Sequence, residues 1–368
     1  MSVATGLYIH IPFCRQKCGY CDFASFAGQE SLIDSYLSAL EQEAAAYSGS
    51  VFDTLYVGGG TPSLLSVAQL NHLCNTIEKY FGPISSFTES TLEANPESIS
   101  AEKLALLQKR GFNRISMGVQ SFHNDILKRI GRIHTVEMFL RAYEEARKAG
   151  FENINIDLIA GLPTQTEEQF IQGVKEVIYL QPEHVSVYAL QVEEGTPFYR
   201  QGVQPDEELV RREWEQTHRL LLQTGYHHYE ISNFAREGRE SRHNTHYWLN
   251  GAYVGLGSAA ASYQNGVRRS NTTSLTEYLA RMQQNQSPVA FEEKLTGKEK
   301  EGEQIMLGLR LLDGIHLSPV QQQLFAAEIA TLKERGLVEQ KQDLLKLTFE
   351  GMFVANQAFM AFVAPFDI

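Results

Sequence analysis

The sequence has 368 residues, with 32 Lys and Arg against 44 Asp and Glu, so its formal net charge is −12. Hydrophobic residues make up 43% and charged residues 21%, a globular composition that excludes wholesale disorder. The chain has no apolar stretch of the about 20 residues that a membrane span needs, no secretory signal and no chain-wide basic footprint, so we expect a soluble, cytoplasmic protein without a nucleic-acid partner.

A strand followed by a helix is predicted six times in the first two thirds of the chain. The strands are LYIHIP from Leu7, TLYVGGG from Thr54, STLEANP from Ser90, RISMGVQ from Arg114, NINIDLIAGLP from Asn153 and HVSVYALQ from His184. The helices are predicted over 30–47, 66–81, 101–110, 136–149, 167–180 and 206–224. Units of about 35 residues indicate parallel β/α pairs. Because a closed barrel needs eight units, we predict an α/β fold with an open, TIM-like (β/α)6 partial barrel whose ligand site lies at the carboxyl ends of the strands.

The strand–helix alternation stops after about Phe234. SRHNTHYWLNG is a polar and aromatic segment, and GLGSAAASYQNG is predicted to be loop or turn material. Helices are predicted over 297–312 and 318–335, followed by LVEQKQDLLKLT and an apolar C-terminal helix. This order is that of a winged-helix module, with a plain helical cap as the alternative. We therefore divide the chain into a core domain, 1–235, and a smaller C-terminal α/β domain, 236–368.

Three of the four cysteines lie within eight residues, whereas Cys74 stands alone in a predicted helix. Cys14, Cys18 and Cys21 have C-x3-C-x2-C spacing directly after the first strand, which indicates metal or redox chemistry rather than disulfide bonds. Thiolates favour zinc or iron–sulfur centres. Three of them can hold three irons of a [4Fe–4S] cluster and leave the fourth iron open to a substrate. A zinc site completed by His10 or His123 is the alternative, and buried structural cysteines are another.

The segment YIHIPFCRQKCGYCDF resembles the cluster loop of the radical S-adenosylmethionine (SAM) superfamily, in which the open iron chelates the amino and carboxylate groups of SAM. With GGGTP at 58–62, the pattern is similar to the coproporphyrinogen dehydrogenase-like branch. The resemblance implies a radical SAM core domain, a [4Fe–4S] cluster on Cys14, Cys18 and Cys21, and SAM as a cofactor.

Polar residues and glycines also end the predicted strands. Glu93, Gln120 and Asp157 lie late in otherwise apolar strands. Each alone is explained by a structural hydrogen bond, but three at corresponding strand ends favour one polar ligand. The resemblance assigns SAM contacts to Tyr8, Gly59, Gly60, Thr61, Glu93, Gln120, Arg132 and Asp157. A tight turn before Pro62 would also explain the glycines, and a solvated cation at a helix end would also explain Arg132.

Two features shift the resemblance toward HemW-type haem chaperones. Enzymes that decarboxylate coproporphyrinogen carry a fourth cysteine where this chain has Phe23, and they have a longer extension before the first strand. The sequence HNTHYW matches the HNxxYW motif of the chaperones, so His243, Asn244, Tyr247 and Trp248 are implied haem contacts in a HemN-like C-terminal domain. Packing at a domain junction would explain the same residues. No spacing selects His227, His228 or His246 as a further ligand.

The resemblance therefore implies a haem chaperone that binds haem, a [4Fe–4S] cluster and SAM and transfers haem to an acceptor protein, with an electron donor protein as a further partner. A radical SAM enzyme of porphyrin metabolism, which decarboxylates a porphyrinogen or methylates or degrades haem, is the alternative. A zinc-containing α/β binding protein is the third reading. Whether SAM is cleaved stays open, as does peripheral membrane association, and no catalytic residue is assigned.

Overall fold

The computed structural model of the chain describes residues 5–363. The strands are β1 Thr5–Ile11, β2 Phe13–Cys14, β3 Phe26–Ala27, β4 Thr54–Gly59, β5 Glu89–Ala94, β6 Arg114–Gln120, β7 Ile154–Ala160, β8 His184–Ala189, β9 His227–Glu230, β10 Asn233–Ala235, β11 Ala252–Leu256, β12 Ala261–Gln264, β13 Val267–Asn271, β14 Val289–Lys294, β15 Ile315–His316, β16 Val338–Lys341 and β17 Leu344–Leu347. No helix in this part of the chain is long and apolar enough to cross a membrane.

The helices follow the strands as the alternation predicts. They are α1 Ile33–Ala45, α2 Val67–Phe81, α3 Ala101–Arg110, α4 Asn124–Arg129, α5 Val136–Lys148, α6 Glu167–Leu180, α7 Pro197–Arg200, α8 Glu207–Gln223, α9 Arg242–Trp248, α10 Leu275–Gln283, α11 Gly297–Gly308, α12 Pro319–Leu324, α13 Ala326–Glu334, α14 Phe349–Phe353 and α15 Ala355–Met360. Caps fix several boundaries: Ser100 accepts a hydrogen bond from the amide of Lys103 at the start of α3, and Gly111 ends α3 in the left-handed region.

Among residues 5–363, the main sheet has twelve strands, and its centre confirms the predicted partial barrel. Strands β1, β4, β5, β6, β7 and β8 are neighbours in that order and run parallel. Strand β11 adds in parallel beside β1, and β12, β13 and β14 continue that edge in antiparallel pairs. Strands β10 and β9 extend the other edge. One sheet therefore contains strands from both sides of residue 235, and the division proposed there stays a prediction.

The prediction that GLGSAAASYQNG is loop or turn material was wrong for the residues that lie in strands β11 and β12. HNTHYW lies in helix α9, and the segment GLGSAAASYQNG contributes the end of β11 and all of β12. Its small residues serve a close approach of two strands rather than a turn alone. A Cβ added at Gly255 would lie only 2.0 Å from the carbonyl oxygen of Ala261, so glycine is required there.

The C-terminal domain has the predicted helix–helix–wing order. Helices α11, α12 and α13 pack against a small sheet in which β17 lies between β15 and β16. The predicted continuous helix over 318–335 is in fact two helices, which meet at Phe325. That residue leaves the helical region at φ −117°, and its fully buried ring lies in the core of this domain. The apolar C-terminal helix is likewise two short helices, α14 and α15.

Candidate functional site

The cysteine loop follows β1 at the carboxyl end of the barrel. Cys14 and Cys18 are buried and Cys21 is half-buried, and all three are free thiols. The Thr61 hydroxyl donates to Cys14 Sγ at 3.4 Å, and Arg132 Nη1 donates to Cys18 Sγ at 3.7 Å. Two residues predicted to contact SAM therefore touch two of the predicted cluster ligands.

Gly60 allows the GGGTP segment to lie against the cysteine loop. A Cβ at this position would be 2.7 Å from the Phe13 carbonyl oxygen and 3.0 Å from Cys14 Sγ. Both distances are shorter than ordinary contacts, so any larger residue would displace the loop. This close approach of backbone to a functional side chain is a specific reason for glycine at Gly60.

The surroundings of Cys14 and Cys21 oppose ionisation of their thiols. Burial raises the pKa of the Cys14 and Cys21 thiols, and the neighbouring Cys18 raises both further. Within residues 5–363, no three His, Cys, Asp or Glu side chains converge on a point that one metal ion could fill. A cubane cluster binds each thiolate through a different iron, so its ligands surround a volume instead of meeting at a point. Three thiols are the ligand set that a [4Fe–4S] cluster with one open iron would use.

The histidines of the zinc alternative are engaged elsewhere. The His10 ring lies 2.8 Å from the Tyr8 hydroxyl through Nδ1 and 2.8 Å from the Ala24 carbonyl oxygen through Nε2, so both of its nitrogens are used. His123 Nε2 contacts the carbonyl oxygen of Gln169. Both nitrogens of His10 and one nitrogen of His123 are therefore engaged away from the cysteines.

Glu93 is the central carboxylate of the strand-end layer. It accepts hydrogen bonds from the Tyr56 hydroxyl at 2.7 Å and from the Gly59 amide at 3.0 Å. Burial, with the nearby charge of Asp157, raises the pKa of Glu93 to about 7. Burial also raises the pKa of Asp157, which accepts from Asn155 Nδ2 at 2.7 Å. A cationic ligand here would favour the ionised form of both carboxylates.

Gln120 and Arg132 meet over Gly118. A Cβ at Gly118 would lie 2.6 Å from both Arg132 Nη2 and Gln120 Nε2, so the missing side chain makes room for both groups. Gln120 has a φ of 66°, and its Oε1 is buried without a partner. Arg132 Nε is also buried and unpartnered. Unpaired polar atoms and a strained backbone at one place indicate a polar ligand.

Asn95 connects the two sides of this layer and was missed by the sequence analysis. Its Nδ2 donates to Thr61 Oγ1 at 3.1 Å, and its Oδ1 accepts from Arg132 Nη2 at 3.2 Å. The Asn95-Pro96 dipeptide at the end of the predicted strand STLEANP is the sequence signal that marks this position. Of the eight residues predicted to contact SAM, Thr61 and Arg132 touch the cysteine loop, and Asn95 joins these two.

The HNTHYW motif lies at the opposite end of the barrel. The Glu89 carboxylate accepts hydrogen bonds from the amides of Arg242 and His243, both at 3.0 Å, and so caps the start of α9. His243 is 1% exposed and packs under the amino-terminal ends of β1 and β4, where Gly6 leaves room for its ring. Burial lowers the pKa of His243 to about 3, so this imidazole is neutral.

Both nitrogens of His243 have hydrogen-bond partners. Nδ1 lies 2.8 Å from the Thr54 hydroxyl and Nε2 lies 2.7 Å from the Tyr247 hydroxyl, while the ring stacks on Tyr56. Neither nitrogen is free to bind the iron of haem as α9 is folded. The haem contact assigned to His243 stays a prediction that requires this helix to move.

The other motif residues support α9 in its packed position. Asn244 and Tyr247 are half-buried, and the Arg310 guanidinium lies 4.2 Å from the centre of the Trp248 ring. The indole Nε1 is buried and has no partner among residues 5–363. The structure therefore brings the four motif residues together at a junction between barrel and C-terminal domain, which is the packing alternative.

Comparison with known proteins identifies relatives of both parts of the chain. The radical SAM superfamily model matches residues 8–177, and the model of the HemN C-terminal domain matches residues 295–354. Heme chaperone HemW of Bacillus subtilis (strain 168) is 38% identical over 97% of this chain and 98% of its own length. Heme chaperone HemW of Lactococcus lactis subsp. lactis (strain IL1403) is 36% identical over 97% and 96%. Among solved structures, coproporphyrinogen III oxidase (HemN) from Escherichia coli, described as a radical SAM enzyme, matches with a TM-score of 0.87 and 27% identity over 99% of this chain and 91% of its own.

Proposed function

This chain belongs to the HemW family of haem chaperones within the radical SAM superfamily, and on that premise we propose that it carries haem as cargo and delivers it to an acceptor protein in the cytoplasm. In this proposal Cys14, Cys18 and Cys21 hold a [4Fe–4S] cluster and SAM binds beside it. Haem is a substrate of the transfer and is not a resident cofactor. An electron donor protein would be a further partner.

The proposed binding of a [4Fe–4S] cluster and SAM rests on two contacts between strand-end residues and cysteine sulfurs. Thr61 reaches Cys14, Arg132 reaches Cys18, and Asn95 hydrogen-bonds to both Thr61 and Arg132. One hydrogen-bonded group of residues therefore faces both the cluster ligands and the candidate SAM contacts. This supports a single site in which SAM and cluster are bound side by side.

The residues match the chemistry of SAM, which carries an ammonium, a sulfonium and a carboxylate. Glu93 and Asp157 offer carboxylates whose raised pKa values would fall next to a cation. Arg132 offers a planar fork suited to a carboxylate, and the unpartnered Oε1 of Gln120 offers an acceptor. A cluster with an open iron would supply one-electron chemistry to bound SAM.

A porphyrin-modifying radical SAM enzyme is the second candidate, favoured by the match to coproporphyrinogen III oxidase over nearly the whole chain. Against decarboxylation stands Phe23, at the position where such enzymes are expected to carry a further cysteine. Its side chain is 65% exposed and offers no thiol. Delivery of unchanged haem is therefore the function we propose first.

Anaerobic reconstitution tests the cofactor part. The wild-type chain should hold about four irons and the Cys18→Ser variant should lose most of that iron, because a cubane needs its thiolate ligands. Cys74→Ser is the matched control, since Cys74 is buried in α2 apart from the loop. Iron retained by Cys18→Ser at the wild-type level would contradict the cluster assignment. Incubation with haem and SAM should return the porphyrin unchanged, whereas a modified porphyrin would favour the enzyme.

A further inference from the structure

Two connections at the carboxyl end of the barrel meet in two consecutive contacts. Asn95, between β5 and α3, accepts a hydrogen bond at 3.2 Å from Arg132, which lies between α4 and α5. Two residues further along both connections, Glu97 Oε2 lies 3.5 Å from His134 Nδ1. The first contact belongs to the candidate SAM site, because Arg132 also reaches Cys18 Sγ. The second contact joins the same two connections.

The contact between Glu97 and His134 is buried and incomplete. The His134 side chain is 0% exposed and that of Glu97 is 8% exposed. Even so, Glu97 Oε2 and both ring nitrogens of His134 make no hydrogen bond to another group of residues 5–363. Buried polar atoms are almost always hydrogen-bonded, so three unpartnered atoms in one contact indicate a bond that forms in another charge state of the pair.

The charges of Glu97 and Arg132 determine that state. Although burial raises the pKa of Glu97, His134 and the charge of Arg132 together bring this pKa below its usual range, so the carboxylate is ionised. Burial lowers the pKa of His134, Glu97 opposes that shift and Arg132 adds to it, so the ring is neutral at pH 7. Strand β6 faces the ring with the backbone of Val119, which favours the protonated form. The charges of Glu97 and Arg132 cancel, and the group as a whole is uncharged.

We propose that Glu97 and His134 are positioning residues for Arg132, and that His134 takes up a proton when the carboxylate of SAM binds the Arg132 guanidinium. The inference rests on the proposed function, because it concerns how the SAM site is held in shape. The incoming carboxylate adds one negative charge to an uncharged group, and one proton from the solvent restores the balance. With both ring nitrogens protonated, His134 Nδ1 donates to Glu97 Oε2 in a charge-assisted hydrogen bond, which fixes the two connections and with them Arg132.

The proton and SAM then favour each other's binding. Because linkage is reciprocal, SAM must bind more tightly when His134 is protonated, and such couplings are typically about 5- to 150-fold. The affinity for SAM that this pair contributes therefore rises as the pH falls. Glu93 acts in the opposite direction, since its pKa of about 7 would fall next to a cation and a proton would be released. Variants that keep Glu93 separate the two effects.

Calorimetry of SAM binding to the anaerobically reconstituted, full-length protein tests this pair. Titrations in two buffers with different ionisation enthalpies give the number of protons taken up. At about pH 6, His134→Gln and Glu97→Gln should each take up fewer protons than the wild type and bind SAM at least about fivefold more weakly, and at about pH 8 this difference in affinity should vanish. Glu183→Gln is the matched control, because it removes a partly buried carboxylate that pairs with Arg147 at 2.8 Å, and it should behave as the wild type. Circular dichroism and iron content show that each variant is folded and loaded.

The outcomes separate this inference from the proposed function. Wild-type affinity and proton uptake in folded, loaded His134→Gln and Glu97→Gln overturn the inference and leave the proposed function standing. A loss of affinity that is equal at both pH values, with unchanged proton uptake, also overturns it, because a merely structural contact would have that effect. A reconstituted wild-type chain that binds no SAM overturns the cofactor part of the proposed function, and this inference with it.

Discussion

Replacing Gly60 with alanine should prevent cluster assembly without unfolding the chain. The new Cβ would lie 2.7 Å from the Phe13 carbonyl oxygen and 3.0 Å from Cys14 Sγ, whereas ordinary contacts begin at 3.4 Å. To remove these two close contacts, the Phe13 carbonyl oxygen must move by 3.4 − 2.7 = 0.7 Å and Cys14 Sγ by 3.4 − 3.0 = 0.4 Å. Metal–ligand distances tolerate only about ±0.2 Å, so Cys14 would leave its binding position.

The free energy of unfolding should fall by only about 1–3 kcal/mol, the usual cost of overpacking. Iron per chain after anaerobic reconstitution should drop well below the wild-type value, while the far-ultraviolet circular dichroism stays the same. Gly173→Ala in α6 is the matched control, because the nearest atom to its added Cβ is Phe122 Cδ2 at 3.4 Å, an ordinary contact. Full iron content in folded Gly60→Ala would refute the reasoning.

Three further predictions concern charge and burial. His243→Ala should lower the free energy of unfolding by about 2–4 kcal/mol, measured by chemical denaturation, because it leaves a cavity and strands the hydroxyls of Thr54 and Tyr247; a loss no larger than that of exposed His227→Ala would contradict this. Burial raises the pKa of Glu93 from 4.5 to about 7. Between these two pH values the folded protein keeps a proton on Glu93 that the unfolded chain releases, so the free energy of unfolding falls as pH rises from 4.5 to about 7. Between pH 5 and pH 7, the free energy of unfolding should fall less in Glu93→Gln than in the wild type. If it changes equally with pH in both proteins, the raised pKa of Glu93 is contradicted. Arg132→Lys should weaken SAM binding at least about tenfold in calorimetry while iron content is retained, because lysine lacks the bidentate fork; unchanged affinity would remove Arg132 from the SAM site.

The central barrel could be predicted because the sequence patterns that specify its strands and helices are local. Alternating β-branched strands and amphipathic helices carry their own period, and caps such as Ser100 and Gly111 mark boundaries within a few residues of the ends they fix. Strands β11 and β12 could not be predicted, since their small residues are demanded by the strand packing at Gly255, which only the folded sheet reveals.

The candidate sites also include features that could be predicted from local sequence and features that could not. The cysteine loop is contiguous, so its spacing alone indicates a metal or redox centre. The contact of Arg132 with Cys18 joins residues 114 positions apart, and no local pattern shows it. Similarly, the burial of His243 depends on Thr54, which is 189 positions away.

The most direct test of haem delivery is transfer from the reconstituted, haem-loaded chain to a haem-free acceptor enzyme, followed by the Soret spectrum and by porphyrin analysis. We predict that haem leaves this chain, appears chemically unchanged in the acceptor and restores the activity of the acceptor enzyme. Haem that stays on this chain, or that is recovered as a modified porphyrin, would contradict the proposal.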